Sequence, residues 1–422
     1  MSVTGDWPLD PGDDAGLLQK ALHAFPPDGF DKIGVAVSGG GDSIALLHLL
    51  HRCAPHAGWA LQAVTVDHGL RAGSAAEAAG VASYCATLCV PHAVLLWEHG
   101  AIAGNLMDAA RKARMRLIGD WAGARGIGHV TLGHTADDRA ETFLMGLARA
   151  SGLDGLAGMR RVWRADGIAW ARPLLDVSRA NLRNYLQRHG IGWVDDPTND
   201  DDSFTRIKAR KALAVLAPLG ISVQGLTLTI ANLAEAQQAL RQVLRTAVCE
   251  HVSQAAGGLQ ISRAAFGAMP DDLQRRLVLA AIGWLSGEGY PPRADKQYKL
   301  IAAIRGGRTA TLNGCQFKNS GDSIRILREP KAISTLETPT TALWDHRWHL
   351  SGPHAADLTI RALGDAIRQC PDWRRTGIAR DTLVTTPAIW CGDTLIAAPL
   401  AGISNGWTAE ITQSLHAFIL SH

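Results

Sequence analysis

The sequence predicts an α/β protein: a parallel sheet covered by helices, then a helical domain and a small α+β domain. Short apolar runs alternate with helical patterns through residues 1–215, as expected of parallel strands joined by helices. Near residue 220 a long helical pattern replaces this alternation, and a strand-like period appears only after residue 309. Together with a length of 422 residues, these changes indicate more than one domain.

The predicted elements of the first half follow one another in strand–helix order. Apolar runs predict strands at residues 33–37, 63–66, 93–96 and 129–132. Apolar residues at helical spacing predict helices after the first and the last of these runs. The same spacing predicts helices at about 74–89 and 105–124. Because ligands of such sheets bind beyond the carboxyl ends of the strands, the polar segments that follow the strands are candidate site segments.

Three domains are predicted, at residues 1–215, 216–330 and 331–422. The second is expected to be mainly helical, with helices to about residue 250 and at 271–286, although 309–312 and 323–326 have a strand-like period. Residues 328–339 carry two prolines and several polar residues, so they are predicted to be a linker. A small α+β domain is expected to follow this linker.

Composition excludes some classes of protein. The net charge of +3 permits nucleic-acid binding without arguing for it. The seven cysteines are dispersed and form no Cys-x-x-Cys pair, which favours reduced thiols in a cytoplasmic protein over a zinc or iron–sulfur site. We expect no association with a membrane, because no apolar run is long enough to span one and no signal peptide is evident.

A glycine-rich segment lies between the first predicted strand and the following helix. The first N–H groups of a helix have no partner within it, and the helix dipole favours negative charge there. Glycine also allows the backbone to approach a phosphate closely. The sequence therefore predicts a phosphate site for a nucleotide, formed by Ser38, Gly39, Gly40, Gly41, Asp42 and Ser43.

Two well-known phosphate loops do not fit this segment. A Walker A loop ends in Gly-Lys-Ser/Thr, and Asp42 stands where its lysine would be expected. The dinucleotide fingerprint requires a third glycine at the position of Ile44. A simple glycine turn in which Asp42 caps the helix remains the structural alternative.

Acidic residues follow the last predicted strand of the first half. Thr135 and Asp138 match a capping box, which gives Asp138 a structural role, whereas Asp137 and Glu141 share one helix face. Carboxylates at this edge of the sheet are also suited to a site for Mg²⁺ and phosphate. Asp67 follows the second strand in the same way, and it either joins such a site or begins a turn.

Basic residues cluster in two predicted helices. Arg111 and Arg114 share a face on which guanidinium groups can bind phosphate, although a solvated face is the alternative. A second cluster, formed by Arg206, Lys208 and Arg210, is predicted to contact a phosphate backbone. A solvated helix face is again the alternative for that cluster.

Taken together, these segments resemble the bacterial tRNA(Ile)-lysidine synthetases, which are PP-loop (N-type) ATP pyrophosphatases. Three departures from the family pattern are Thr198 where serine is usual, Met115 where tyrosine is frequent, and Ile207-Lys208-Ala209 within the arginine-rich end. The matching segments are residues 38–43, 66–71, 110–114, 133–142, 151–159, 172–175, 196–199 and 204–210, with 377–380, 387–390 and 398–402 in the tail.

The resemblance implies a Rossmann-like PP-loop ATPase domain and a two-step reaction. ATP with Mg²⁺ would adenylate the wobble cytidine of a tRNA(Ile) whose anticodon is CAU, and free L-lysine would then displace AMP to give lysidine. Asp42 and Asp138 would hold the metal, Arg111 and His134 would join them as catalytic residues, and residues 38–43 would bind ATP. The domains at 216–330 and 331–422 would bind tRNA, and a homodimer is left open.

Other functions remain to be distinguished. Another PP-loop tRNA-modifying or amide-forming ATP pyrophosphatase is the nearest alternative. Thiolating enzymes generally use cysteine pairs or a cluster, which this chain lacks, and a glutamine-dependent synthetase would need an amidotransferase nucleophile where Ser2 follows Met1. A tRNA-binding module with an inactive ATP site is an alternative of another class, and a pyrophosphate-release assay separates it from an enzyme.

Overall fold

The structure is a computed structural model that describes residues 14–25, 30–69, 73–99, 106–165, 167–194, 205–287 and 291–421. Of the segments singled out above, residues 70–71, 196–199 and 204 lie outside the described residues. The chain divides into two compact units, Met1–Gln237 and Gln238–His422. The predicted boundaries near 215 and 330 stay predictions.

Strands and helices alternate through the first unit. Strands β2, β3 and β4 are each reached through a helix, whereas β6 follows β5 directly. The elements are α1 (Ala15–Leu22), β1 (Lys32–Ala36), α2 (Gly41–Ala57), β2 (Ala60–Asp67), α3 (Ser74–Thr87), β3 (His92–Leu96), α4 (Leu106–Ala124), β4 (His129–Leu132), α5 (Ala136–Leu147), α6 (Leu153–Leu156), β5 (Val162–Ala165), β6 (Ile168–Ala171), α7 (Arg179–Arg188), α8 (Thr205–Leu216) and α9 (Val223–His251), which begins in this unit and ends in the next.

These strands form one six-stranded sheet in the order β3-β2-β1-β4-β6-β5. Strands β1, β2, β3, β4 and β6 run parallel, and β5 pairs with β6 antiparallel. The predicted α/β class and parallel sheet are confirmed. The β5–β6 hairpin was not predicted, although all four residues of β6 are apolar and buried, a run as long as the one that predicted β4.

Helices cover both faces of this sheet. On one face, Ile33 and Val35 of β1 pack with Leu46 and Leu50 of α2 in a core that also includes residues of α1, α3 and α7. On the other face, Trp121 of α4 belongs to a separate buried cluster with residues of β2, β4 and β6. Because α2 is buried against β1, its first turn is held at the carboxyl edge of the sheet, beside the ends of β1 and β4.

Asp14, near the amino end of the described residues, forms ion pairs with two of these helices. Asp14 pairs with Arg52 of α2 at 2.6 Å and with Arg188 of α7 at 2.7 Å. His189, just after α7, lies 2.7 Å from the same carboxylate. Although burial opposes ionisation of Asp14, its hydrogen bonds with the two arginines and the histidine lower its pKa to about 2.

The second unit combines helices with antiparallel sheets. Strands β7 to β11 form a five-stranded sheet in the order β7-β8-β11-β10-β9. The elements are β7 (Val252–Ala255), β8 (Gly258–Ser262), α10 (Arg263–Ala268), α11 (Asp271–Ser286), α12 (Ala294–Arg305), β9 (Ala310–Leu312), β10 (Cys315–Ser320), β11 (Ser323–Arg328), α13 (Pro330–Ile333), β12 (Thr338–Pro339), β13 (Trp348–Ser351), β14 (Leu358–Ala362), α14 (Arg380–Leu383), β15 (Pro387–Cys391), β16 (Thr394–Ala397), β17 (Thr408–Ile411) and α15 (Leu415–Ser421).

The segment predicted to be a linker contains structure. It includes α13 and β12, and Ile333 is buried in a cluster with Trp344 and Trp348. Strand β12 pairs with β14 in a four-stranded sheet of order β12-β14-β15-β16. Two prolines are compatible with this arrangement because Pro330 lies in the first turn of α13 and Pro339 on an edge strand.

Among the described residues, no single helix has both the length and the apolar character needed to cross a membrane. The segments Thr205–Leu219 and Val223–His251, bent by 102° at their junction, meet both criteria only when taken together.

Candidate active site

The glycine-rich segment forms a cradle at the start of α2. Gly39 has φ of +88°, a conformation that favours glycine, and Gly40 precedes the helix without any side-chain cap. Ser43 accepts a hydrogen bond of 3.1 Å from the Ser38 N–H and donates one of 2.9 Å to the Gly40 carbonyl. Asp42 does not cap the helix, so no side chain caps the first N–H groups of α2, which are suited to an anionic ligand.

Gly133, directly after β4, allows the two segments to meet. A Cβ at this position would lie 3.0 Å from the Ser43 Cα and 3.1 Å from the Asp42 carbonyl oxygen. A side chain here would push β4 away from the cradle. This close approach brings the following residues, including His134 and Asp138, to the phosphate loop.

Asp138 caps α5 with one carboxylate oxygen and keeps the other outside the capping box. Its Oδ2 accepts hydrogen bonds from the Thr135 N–H at 2.8 Å and the Thr135 hydroxyl at 3.0 Å, completing a capping box for α5. Its Oδ1 is turned to Arg179 instead. Burial opposes ionisation of Asp138, but Arg179, His134 and the Thr135 N–H outweigh it, so its pKa lies below the ordinary value.

Arg179, the first residue of α7, joins the acidic residues of two other helices. Its guanidinium lies 3.1 Å from Asp42, 3.3 Å from Asp138 and 3.4 Å from Glu141. Its backbone N–H donates a hydrogen bond of 2.7 Å to Asp137. The structure thus assembles the predicted pair of Asp42 and Asp138 around a residue that the sequence analysis did not single out.

A sequence signal for Arg179 existed. It stands in the first turn of α7, directly after the N-cap Ser178, and that turn contains no acidic residue. A cation at this end of a helix opposes the helix dipole, so its position calls for partners elsewhere in the fold.

The carboxylate of Asp42 suits a metal ion that also binds phosphate. Burial raises the pKa of Asp42, although Arg179 acts in the opposite direction, and its Oδ1 is buried without a hydrogen-bond partner. Mg²⁺ in such sites needs only one or two carboxylates together with phosphate oxygens. No group of three or more His, Cys, Asp or Glu side chains suited to a metal occurs in the part of the chain that the structure describes.

Two of the three residues predicted to bind tRNA contact Glu141, which is also a partner of Arg179. Glu141 is fully buried, and Arg210 donates a hydrogen bond of 2.9 Å to its Oε1. The Nε of Arg206 lies 3.5 Å from Oε2 of the same carboxylate. Lys208 is exposed on the same helix, α8. The role of these three residues in tRNA binding stays a prediction.

His134 is held as a neutral ring. Arg172 donates a hydrogen bond of 3.1 Å from Nε to Nδ1 of His134 and stacks on Trp163, with its Cζ 4.1 Å from the ring centre. Burial, and then the charge of Arg172, lower the pKa of His134 to about 3. Because Nδ1 accepts a hydrogen bond, the ring proton belongs on Nε2, where it can be donated to a ligand.

The arginines of α4 differ in their surroundings. Arg111 is exposed, whereas the Nε of Arg114 is buried without a hydrogen-bond partner. Burial lowers the pKa of Arg114, and the charges of Arg111 and Arg206 lower it further. A desolvated guanidinium beside like charges is expected where an anionic ligand supplies the missing partner.

Asp67 and Asp137 have structural partners. Asp67 accepts a hydrogen bond of 2.9 Å from the Gly69 N–H, as expected of a residue that begins a turn. That hydrogen bond also lowers the pKa of Asp67. Asp137 receives the backbone N–H of Arg179 and so caps α7 from outside the helix.

The fold and the phosphate cradle define a class of proteins. The family described as PP-loop domain matches residues 15–216, which include the cradle, α5 and α7. The glycine-lined segment at the end of the first parallel strand lies within that match, at a helix start suited to an anion.

Curated proteins of similar sequence identify one family among the proteins that have a PP-loop domain. The chain is 46% identical over 409 residues to the tRNA(Ile)-lysidine synthase of Ruegeria pomeroyi, covering 96% of this chain and 97% of the relative. It is 33% identical over 358 residues to the enzyme of the same name from a Wolbachia species of Brugia malayi, covering 80% and 82%. The chain therefore belongs to the tRNA(Ile)-lysidine synthase family.

Proposed function

We propose that this protein uses ATP to attach free L-lysine to the wobble cytidine of a tRNA(Ile) with the anticodon CAU, forming lysidine. The observation that carries the proposal is the convergence of Asp42, at the open end of α2, with Asp138 of α5 around Arg179. This arrangement suits the phosphates of a nucleotide and a divalent cation, and it is supported by membership of the lysidine synthase family.

The first step is adenylation of the base. The 2-oxo oxygen of the cytidine attacks the α-phosphorus of ATP, a P–O bond forms, and pyrophosphate leaves with the electrons of the bond that breaks. The cradle residues Ser38, Gly39, Gly40 and Ser43 hold the β and γ phosphates through the N–H groups at the start of α2. Mg²⁺ would be held by Asp42 and Asp138 and would neutralise phosphate charge.

Cationic and hydrogen-bonding groups stabilise charge that develops around the α-phosphate. His134 donates from Nε2, because its Nδ1 accepts from Arg172. Arg111 and Arg114 supply positive charge from α4. These groups are positioned before the reaction, so they need little reorganisation when charge appears.

The second step is displacement of AMP. The neutral ε-amine of lysine attacks C2 of the adenylated base, a C–N bond forms, and AMP leaves with the oxygen that the base contributed. A proton leaves the attacking nitrogen. Adenylation supplies the leaving group that a pyrimidine carbonyl lacks, so the main task of the protein is to position the two reactants.

Binding of the RNA is assigned to basic residues and to the later part of the chain. Arg206, Lys208 and Arg210 of α8 are proposed to contact phosphates near the cytidine, which must be unstacked to react. Residues 216–330 and 331–422 are proposed to bind and recognise the rest of the tRNA. A cytoplasmic location and a homodimer are kept as predictions, and light scattering after gel filtration tests the dimer.

The decisive experiment incubates the protein with ATP, isotopically labelled lysine and total tRNA, and then determines the masses of the nucleosides. Labelled lysidine, with AMP and pyrophosphate in equal amounts, is the expected result. Pyrophosphate release without a labelled nucleoside would instead favour another PP-loop enzyme. Absence of both, with tRNA still bound, would indicate an RNA-binding protein with an inactive ATP site.

A further inference from the structure

Arg179 shares its guanidinium among acids that belong to other helices. Nε, Nη2 and Nη1 each face one carboxylate, those of Asp42 on α2 and of Asp138 and Glu141 on α5. The contacts of 3.1 to 3.4 Å are longer than the roughly 2.8 Å typical of strong charge-assisted hydrogen bonds. Each acid is therefore compensated by Arg179 without being tightly bound to it.

The oxygens involved are those that a metal ion would need. Oδ2 of Asp138 is occupied by Thr135, so Arg179 faces the remaining oxygen, Oδ1. In Asp42, Oδ2 faces Arg179 and Oδ1 is buried without a hydrogen-bond partner. Oε2 of the fully buried Glu141 faces Arg206 instead, whose Nε lies 3.5 Å away. The unpartnered Oδ1 of Asp42, together with Oδ1 of Asp138, indicates that this pair of carboxylates is suited to a further cation.

Without a cation, these acids would repel one another. Asp42 and Asp138 approach because Gly133 allows β4 and α2 to meet, and both carboxylates lie within 3.3 Å of the same guanidinium, where like charges repel. Arg179 opposes this repulsion while the backbone N–H of the same residue fixes α7 on Asp137. The position of Arg179 is therefore explained by the acidic residues that surround it and not by a contribution to the stability of α7.

We propose that Arg179 is a positioning residue of the ATP site, which holds Asp42 and Asp138 together and yields their oxygens to the divalent cation that accompanies ATP. The inference rests on the proposed function, from which it takes the metal site. We expect Arg179 and the metal ion to compete for these oxygens. The positive charge of Arg179 weakens metal binding in the absence of nucleotide, and the phosphates of ATP favour binding of the metal.

The test titrates the full-length protein with Mn²⁺ in the absence of nucleotide, tRNA and lysine, and follows free Mn²⁺ by electron paramagnetic resonance. Arg179→Met is expected to bind Mn²⁺ roughly tenfold more tightly than the wild type, since a neighbouring positive charge is removed. Arg183→Met is the matched control, because it removes the same charge from an exposed position on α7. Adding Asp42→Asn to Arg179→Met should abolish the gain.

A residue with only a structural role would lower metal affinity when it is replaced, so tighter binding is specific to the proposal. Unchanged or weaker Mn²⁺ binding by folded Arg179→Met would overturn it. If that variant does not fold, Arg179→Gln takes its place, because glutamine also removes the positive charge and keeps hydrogen-bond donors for the carboxylates. It should also bind Mn²⁺ more tightly than the wild type, and equal affinity would overturn the proposal. Since no tRNA or lysine is present, failure here leaves the lysidine assay unaffected.

Discussion

Arg210 on α8 donates a hydrogen bond of 2.9 Å from its Nε to Oε1 of Glu141 on α5, a carboxylate that is fully buried. Glu141 also lies within 3.5 Å of Arg206 and 3.4 Å of Arg179. The helix proposed to meet the RNA is thus joined to the acid cluster of the ATP site. Lys208, exposed on the same helix, adds a further positive charge to α8.

The double variant Arg206→Ala with Arg210→Ala should bind tRNA more weakly and with a flatter salt dependence. Each lost phosphate contact lowers the slope of log K against log salt by roughly 0.7 to 0.9. Filter binding at several salt concentrations measures the slope. Lys112→Ala with Arg116→Ala, which removes two exposed charges from α4, is the control. An unchanged slope in the first variant would remove both residues from the RNA-binding surface.

Asp42→Asn should leave the fold intact and abolish tRNA-dependent pyrophosphate release. The amide keeps an oxygen for Arg179 but loses the charge that a metal ion requires, so the rate should fall by at least roughly a hundredfold. Release of pyrophosphate in the presence of tRNA and ATP is the measurement, and circular dichroism checks the fold. Asp120→Asn, on the exposed face of α4, is the control. Release at the wild-type rate would contradict the assignment of Asp42.

Replacing Arg114 with methionine should stabilise the protein and impair the reaction. Its Nε is buried without a partner, so removal of the guanidinium relieves a desolvation cost of roughly 1 to 3 kcal/mol. Chemical denaturation measures the free energy of unfolding, and pyrophosphate release measures activity. Arg116→Met, exposed on the same helix, should change neither quantity. Lower stability together with full activity would show that Arg114 has only a structural role.

Acid should destabilise the fold partly through His134. Its pKa falls from 6.5 to about 3 on folding, so the unfolded chain binds a proton between these values and the folded chain does not. The contribution of His134 to stability is therefore complete above about pH 6.5 and is lost as the pH falls towards 3.

Melting temperatures from pH 7 to pH 4 test this prediction. His134→Gln should lose less stability over that range than the wild type. The slope should not vanish, because burial also lowers the pKa of His48, to about 4. An identical slope in the variant and the wild type would mean that His134 is protonated in the folded state.

Local patterns were sufficient to predict the parts of the fold that depend on neighbouring residues. Strands β1 to β4, the helices between them and the glycine cradle follow from apolar periodicity and turn chemistry. The β5–β6 hairpin was missed, although only β5, which is partly exposed and contains Arg164, lacks the apolar run that β4 and β6 share.

The partners within the site could not be predicted in the same way. Arg179 meets Asp42 across 137 positions of sequence, and Arg172 meets His134 across 38. No spacing rule connects such pairs, since the sheet order that unites them is a property of the whole fold. Arg206 and Arg210 were recognised as basic, but only the structure places a buried acid beside them.

The pairing of Asp14 with Arg52 and Arg188 has a consequence for any shortened form of the protein. A chain that began after α1 would leave these two arginines facing each other across α2 and α7 with no counter-charge from Asp14. Their mutual repulsion would then loosen the rear ends of the two helices whose front ends carry Asp42 and Arg179. Trimming the amino terminus should therefore weaken nucleotide binding without replacing any residue that is proposed to contact the nucleotide.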